Sequence, residues 1–123
     1  MNKKYSTFLT ERNIIELPTE LFTKYKNQEL YLLIYEEDGL QVYTNEKWKE
    51  YQSTLKNLPL QEQKLLRPLF TAAEQVVVTQ NTISIPGHLV EFMSLDGSKG
   101  VDIIENDKGF ILKPICTRQT IQV

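Results

Sequence analysis

Short apolar runs broken by turn residues occupy both ends of the chain, and helical spacing occupies the middle. Tyr5–Leu9 is rich in aromatic and β-branched side chains and predicts a strand. Glu11-Arg12-Asn13 predicts a turn, because asparagine tolerates positive φ better than most residues. Ile14–Leu17 reads as a second strand. Pro18 fits the first turn of a helix, where its missing N–H costs little, and Leu21 and Phe22 face inward from a short helix over Thr19–Tyr25. Leu30–Tyr35 is a strongly apolar strand, Glu37-Asp38-Gly39 carries the Asp-Gly hairpin signal, and Leu40–Tyr43 completes the hairpin.

The same order returns later. Gln75–Thr79 predicts a strand, Gln80-Asn81 a turn and Thr82–Ile85 a strand. Pro86 opens a helix to about Leu95, with Leu89, Phe92 and Met93 on its apolar side. Val101–Glu105 and Phe110–Lys113 flank a turn at Asn106-Asp107-Lys108-Gly109. Two helical segments join the units. Thr44 or Asn45 caps the first, in which Trp48, Tyr51 and Leu55 recur at helical spacing until Asn57-Leu58-Pro59 breaks it. Leu60–Glu74 is the second, with a stripe of Leu65, Leu66, Leu69 and Phe70 and with Pro68 expected to kink or shorten it.

Superposed, Thr10–Phe22 and Val78–Val90 align Asn13 with Asn81, Ile15 with Ile83, Leu17 with Ile85, Pro18 with Pro86 and Leu21 with Leu89. A unit of four strands and one short helix has too little core to stand alone. The expected fold is therefore α+β, with units 5–43 and 73–113 interleaving their hairpins into one shared barrel around a helical connection 44–72. Gly39 and Gly109 occupy matching places. The two Asn-to-Pro stretches are either structural corners alone or corners that also carry a site.

Composition narrows the function classes. At 123 residues, 41% hydrophobic and 24% charged, the chain fits one globular domain spanning 1–123. The net charge of −2 lacks the basic excess usual in proteins built mainly to bind nucleic acid. A single cysteine, Cys116, excludes an intrachain disulfide and suits a reducing cytoplasm. No apolar run approaches the roughly 20 residues of a membrane span, and Met1-Asn-Lys-Lys-Tyr5 lacks a signal-peptide core, so a cytoplasmic location without membrane contact is expected.

Over about Tyr5 to Lys113 the chain resembles the MraZ family, bacterial regulators with a double-split β-barrel related to the swapped-hairpin AbrB fold. Besides the two Pro corners, Leu40-Gln-Val-Tyr-Thr-Asn-Glu-Lys-Trp48 resembles the family's aliphatic-x-Val-Tyr-Pro-x-x-x-Trp segment, and Leu58-Pro-Leu60 with Arg67-Pro-Leu-Phe-Thr-Ala-Ala73 resembles its central helices. The resemblance implies a DNA-binding transcriptional regulator that assembles into closed rings. The family carries Asp-x-x-x-Arg twice, in turns implied to contact DNA. Here Thr10, Arg12, Asn13 and Ile14 stand at the Asp, Lys, Gly and Arg positions of the first motif. Val78, Asn81 and Thr82 stand at the Asp, Gly and Arg positions of the second. Both acids and both arginines are replaced, and isoleucine or threonine cannot neutralise phosphate or read guanine edges as arginine does. The sequence also ends soon after Lys113, without the family's usual helical tail.

Two functions from different classes follow. In the first, DNA contact falls to Arg12, Asn13, Gln80, Asn81 and Thr82, helped by Lys3 and Lys4. In the second, the chain is an oligomeric interaction protein that kept the barrel and lost the DNA site. In both a homo-oligomer is expected, with the aromatic-rich segment Tyr43–Tyr51 as contact surface. Catalysis, metal, cofactor and small-molecule substrate are not expected. His88 is the only histidine and reads as a surface or half-buried helix residue, and Cys116 has no local partner. Glu36-Glu37-Asp38 reads as a solvated hairpin tip. Asp96-Gly-Ser-Lys-Gly100 lacks the phosphate-loop pattern, and Trp48 with Tyr51 reads as core or subunit contact rather than ligand stacking.

Overall fold

The computed structural model describes residues 3–35, 39–78, 80–93 and 100–115. The expected features at Glu36-Glu37-Asp38, Thr79, Ser94–Leu95, Asp96–Lys99 and Cys116 lie outside them. The elements follow as β1 (Lys4–Phe8), β2 (Ile14–Glu16), α1 (Thr19–Tyr25), β3 (Glu29–Tyr35), β4 (Gly39–Thr44), α2 (Asn45–Lys56), α3 (Leu60–Thr71), β5 (Glu74–Val77), β6 (Thr82–Ser84), α4 (Gly87–Met93), β7 (Gly100–Asn106) and β8 (Gly109–Pro114). The fold is mixed α+β.

A six-stranded antiparallel sheet runs in the order β1-β7-β8-β4-β3-β5, and β2 and β6 form a separate two-stranded ladder. That order maps onto itself when β1 is exchanged with β5, β3 with β7 and β4 with β8. Each half's first strand therefore pairs with the other half: β1 with β7, from Lys4↔Ile104 to Phe8↔Gly100, and β5 with β3, from Glu29↔Val77 to Leu32↔Glu74. The halves meet at β4–β8, where Leu40 faces Leu112, Val42 faces Phe110, and Gln41 faces Ile111 between them.

Side-chain alternation along the strands fills one face of this sheet with the main core. Leu30, Leu32, Leu40, Val42, Val101, Ile103, Phe110 and Leu112 pack there against Ile15, Leu17, Leu21 and Tyr25 of one half and Ile83, Ile85, Leu89 and Met93 of the other. Each such side chain removed from water stabilises the fold by about 1.5–3 kcal/mol. Phe22 and Phe92 are only partly buried at the margin of this core.

The opposite face of β3 and β4 is covered by α2. The Thr44 hydroxyl caps this helix by accepting from Lys47 N at 3.2 Å. Trp48, 4% exposed, stacks on Tyr31 with ring centres 5.1 Å apart and meets Tyr43 edge-on at 5.3 Å. Tyr43, 7% exposed, stacks in turn on Tyr51 at 5.4 Å. The aromatic segment expected to offer subunit surface is thus turned inward, because Leu33, Tyr31 and Tyr43 on the back of the sheet need a cover.

The second connecting helix also differs from expectation. α3 stops at Thr71 and β5 begins at Glu74. Pro68 does not end it: Ala72 N still donates to Pro68 O at 3.0 Å, so the helix runs on for a turn past the ring. Leu65 is 77% exposed and Leu66 half-buried, so this part of the stripe faces solvent rather than core.

One buried polar side chain, Gln41, is 1% exposed beside the pseudo-axis. Its amide donates to Val42 O and Phe110 O, and its Oε1 accepts from Asn106 Nδ2 at 3.0 Å. Asn106 Oδ1 accepts from Lys108 N and Gly109 N, which folds the β7–β8 turn. Gly109 sits at φ +151°, where an added Cβ would collide with Val42 O. Gly39, its counterpart at the start of β4, has no such φ, and a Cβ there would lie 3.3 Å from Leu112 O and Tyr35 O.

Gly109→Ala should therefore cost about 3 kcal/mol, combining backbone strain with a backbone clash, and Gly39→Ala clearly less. Urea midpoints of the two variants check this. Burial, then the neighbouring Tyr51 and Tyr35, push the Tyr43 phenol up to about 12. A raised folded value means that its contribution is complete below the ordinary tyrosine value of about 10 and is lost as pH rises toward 12. Stability should fall across that window, and less so in Tyr43→Phe, as followed by denaturant titration at stepped alkaline pH.

Candidate nucleic-acid interface at the two turns

The expected site begins at the turn after Leu9. Asn13 takes the left-handed conformation, φ 62°, as its position in the sequence anticipates. Thr10 organises the rest of the turn. Its hydroxyl accepts from Arg12 N and Ile14 N, both at 3.2 Å, and its carbonyl accepts from Asn13 N at 3.0 Å. Thr10 N donates to Ile14 O at 2.9 Å. Threonine thus organises the turn as a carboxylate could, but without a charge. This role was not read from the sequence; the threonine two residues before Arg12 was its available signal.

The second turn differs. Asn81 lies in an exposed bend, and the interval from Val78 to Ile83 is one residue shorter than that from Leu9 to Ile15. Leu9 and Val78 are both buried, so Leu9, not Thr10, is the structural counterpart of Val78. The motif alignment slips by one residue at its start because the first turn holds one residue more.

The turns are joined by the ladder. β2 and β6 pair as Ile14↔Ser84, Ile15↔Ile83 and Glu16↔Thr82. Beyond each end a backbone bond reaches across: Ile85 N donates to Asn13 O at 2.8 Å, and Leu17 N donates to Asn81 O at 2.6 Å. Leu17 and Ile85 each precede a proline, which holds them extended and starts the following helix. Pro18 O accepts from Phe22 N, and Pro86 O from Leu89 N and Val90 N. Each asparagine turn thus anchors the proline corner of the opposite half.

Because the ladder is antiparallel, the turns lie at its opposite ends, roughly 13 Å apart by strand rise. Arg12, Gln80 and Asn81 are exposed, and Asn13 is half-buried. Thr82 is not in the turn but in the ladder opposite Glu16, where cross-strand pairing holds it half-buried. Exposed Glu11 adjoins Arg12, and exposed Glu16 lies at the other end of the ladder near the Asn81 turn, so a carboxylate accompanies each turn. Lys3 and Lys4 are not part of this surface. They sit at the far end of β1, where Lys3 pairs with Glu20 at 3.1 Å and Lys4 with Asp102 at 3.4 Å. The Lys3 ammonium, followed by the Tyr5 hydroxyl, holds the Glu20 carboxyl below its ordinary value.

His88 Nε2 lies 3.4 Å from Glu74 Oε2, and both side chains are exposed on the surface between α4 and β5. Among the described residues no group of three or more His, Cys, Asp or Glu side chains is placed to hold a metal ion. Among them, too, no helix is long and apolar enough to cross a membrane. Compared with protein-family models and with curated proteins, the chain finds no match.

Removing the Thr10 hydroxyl in Thr10→Val should cost about 1 kcal/mol, since two turn N–H groups lose their acceptor. Asn13→Ala should cost about 1 kcal/mol through its left-handed φ, while Asn13→Gly should be nearly neutral. Thermal unfolding midpoints of the three variants distinguish the side-chain role of Thr10 from the backbone role of Asn13.

Proposed function

We propose that the chain is a MraZ-like, AbrB-related transcriptional regulator, a single domain over residues 1–123 with a double-split β-barrel, whose recognition turns have diverged. The strand exchange carries this reading: two strand–strand–helix–strand–strand units trade first strands, β1 to β7 and β5 to β3. Such a trade is what a swapped-hairpin barrel requires, and in this reading the β2–β6 ladder closes its open side. DNA contact falls to Arg12, Asn13, Gln80 and Asn81, with Thr82 reaching it only from the edge of the ladder.

The turn residues offer one guanidinium, Arg12, which neutralises about one phosphate, so a single copy binds weakly and several copies must act together. Exposed Leu60 and Leu65 on α3 supply apolar surface for that self-association, in place of the inward-turned aromatics of α2. The second reading, an interaction protein without DNA affinity, is favoured by a carboxylate at each turn, Glu11 beside Arg12 and Glu16 opposite Thr82.

Anisotropy titrations against DNA from the protein's own upstream region, at several salt concentrations, decide between them. The regulator predicts affinity that falls steeply with salt and a slope reduced by about one per bound chain in Arg12→Ala. No binding at low salt, together with capture of a protein partner, favours the interaction protein. Sedimentation should show a species larger than the 14.4 kDa single chain; a lone single chain at micromolar concentration removes the avidity on which the regulator depends.

A further inference from the structure

The strand pairs β1–β7, β5–β3, β4–β8 and β2–β6 each join one half of the chain to the other. Side chains cross the same boundary. Lys24 pairs with Glu105 at 2.9 Å, and Gln41 bonds to Phe110 O and to Asn106. Each half is therefore shaped to fit the other half, but nothing in that fit requires both to belong to one molecule. A second copy of the chain presents an identical complement.

The connection 44–72 is what keeps the halves of one chain together, and its two helices are held differently. α2 rides on its own half, with Trp48 buried against Leu33 and Tyr43. α3 lies chiefly against α2 rather than against the sheet. Among its described side chains Gln63 and Leu66 are half-buried and the rest exposed, Leu60 at 63% and Leu65 at 77%. The corner Asn57-Leu58-Pro59 between the helices is tied by Gln63, whose Nε2 donates to Leu58 O at 2.7 Å and to Lys56 O at 3.2 Å. Opening this corner gives up that tie and the packing of α3 on α2. Every strand pair between the halves can then be made again with another copy.

We infer that two copies of the chain exchange halves: the corner 57–59 opens, and residues 5–43 of each copy close on residues 73–113 of the other. Sheet and core are the same in the closed chain and in the exchanged pair, so their contributions cancel. The corner and the freedom lost on association oppose exchange. Contact between the two α3 helices, which run between the paired bodies, favours it, and Leu60 and Leu65 supply the apolar surface. The exchanged share therefore rises with concentration. In such a pair each β2–β6 ladder carries Arg12 from one copy and Asn81 from the other. The inference rests on the self-association proposed above and is independent of what the turns contact.

Facing cysteines separate exchange from ordinary surface contact. Ser6→Cys with Asp102→Cys bridges β1–β7, where the native side chains bond at 3.0 Å, and Glu29→Cys with Val77→Cys bridges β5–β3. Both pairs are placed in Cys116→Ser, which removes the single native thiol. Each full chain is refolded from urea at micromolar to millimolar concentration, separated by size, oxidised and run on a denaturing gel without reductant. The expected result is a fraction of twice the 14.4 kDa chain mass that grows with concentration and keeps its doubled mass on the gel. The two cysteine pairs stand in separate strand trades, so one reports if the other variant fails to fold. A double-mass fraction whose chains separate on the gel would show side-by-side contact and overturn the exchange while leaving self-association. Absence of any double-mass fraction at millimolar concentration would overturn both.

Discussion

Neither half of this chain gives its own first strand a partner in the sheet. β1 finds its neighbour in β7 and β5 finds its neighbour in β3, so the sheet bonds of each half's first strand are made with the other half. The central β4–β8 pair, the β2–β6 ladder and the shared core are consequences of that trade. So is the small size of each unit, which needs no separate core because it never stands alone.

The same trade leaves most turn side chains without a scaffold duty. What Asn13 and Asn81 give to the opposite proline corners is a backbone carbonyl, not a side chain. A turn whose structural duty lies in its backbone leaves its side chains open to change. Thr10 is the exception, because its hydroxyl organises the first turn, and the second turn manages a different path with one residue fewer. Side-chain changes at the turns can therefore leave the corners standing, and function has to be argued from the exposed surface itself.

Much of the element order was legible in the sequence. Thr19–Tyr25 forms the expected helix, and both proline corners and both hairpins fall within a residue or two of expectation, because turn chemistry and local alternation decide them. Strand partners were not legible in detail, since pairing between residues far apart leaves no local signature. Gln41 was missed for that reason: read locally it is one polar residue in an apolar strand, and its partners Phe110 and Asn106 lie in the other half. The inward turn of Trp48 and the exposure of Leu65 were ambiguous because helical spacing marks an apolar side without saying what covers it. At the candidate site, exposure of Arg12, Gln80 and Asn81 was anticipated, whereas the ladder position of Thr82 and the engagement of Lys3 and Lys4 depend on tertiary placement.

The pairing of Lys4 with Ile104 also has a consequence during synthesis. β1 leaves the ribosome well ahead of β7, its partner in the sheet. At roughly 5–20 residues per second, several seconds separate them. Over that interval β3 and β4 can close their hairpin, but β1 waits with its hydrogen-bonding edge unpaired and Phe8 beside it. The nascent chain thus carries an adhesive segment until β7 emerges, and translation rate, rather than intrinsic folding speed, sets how long that segment is open to other chains.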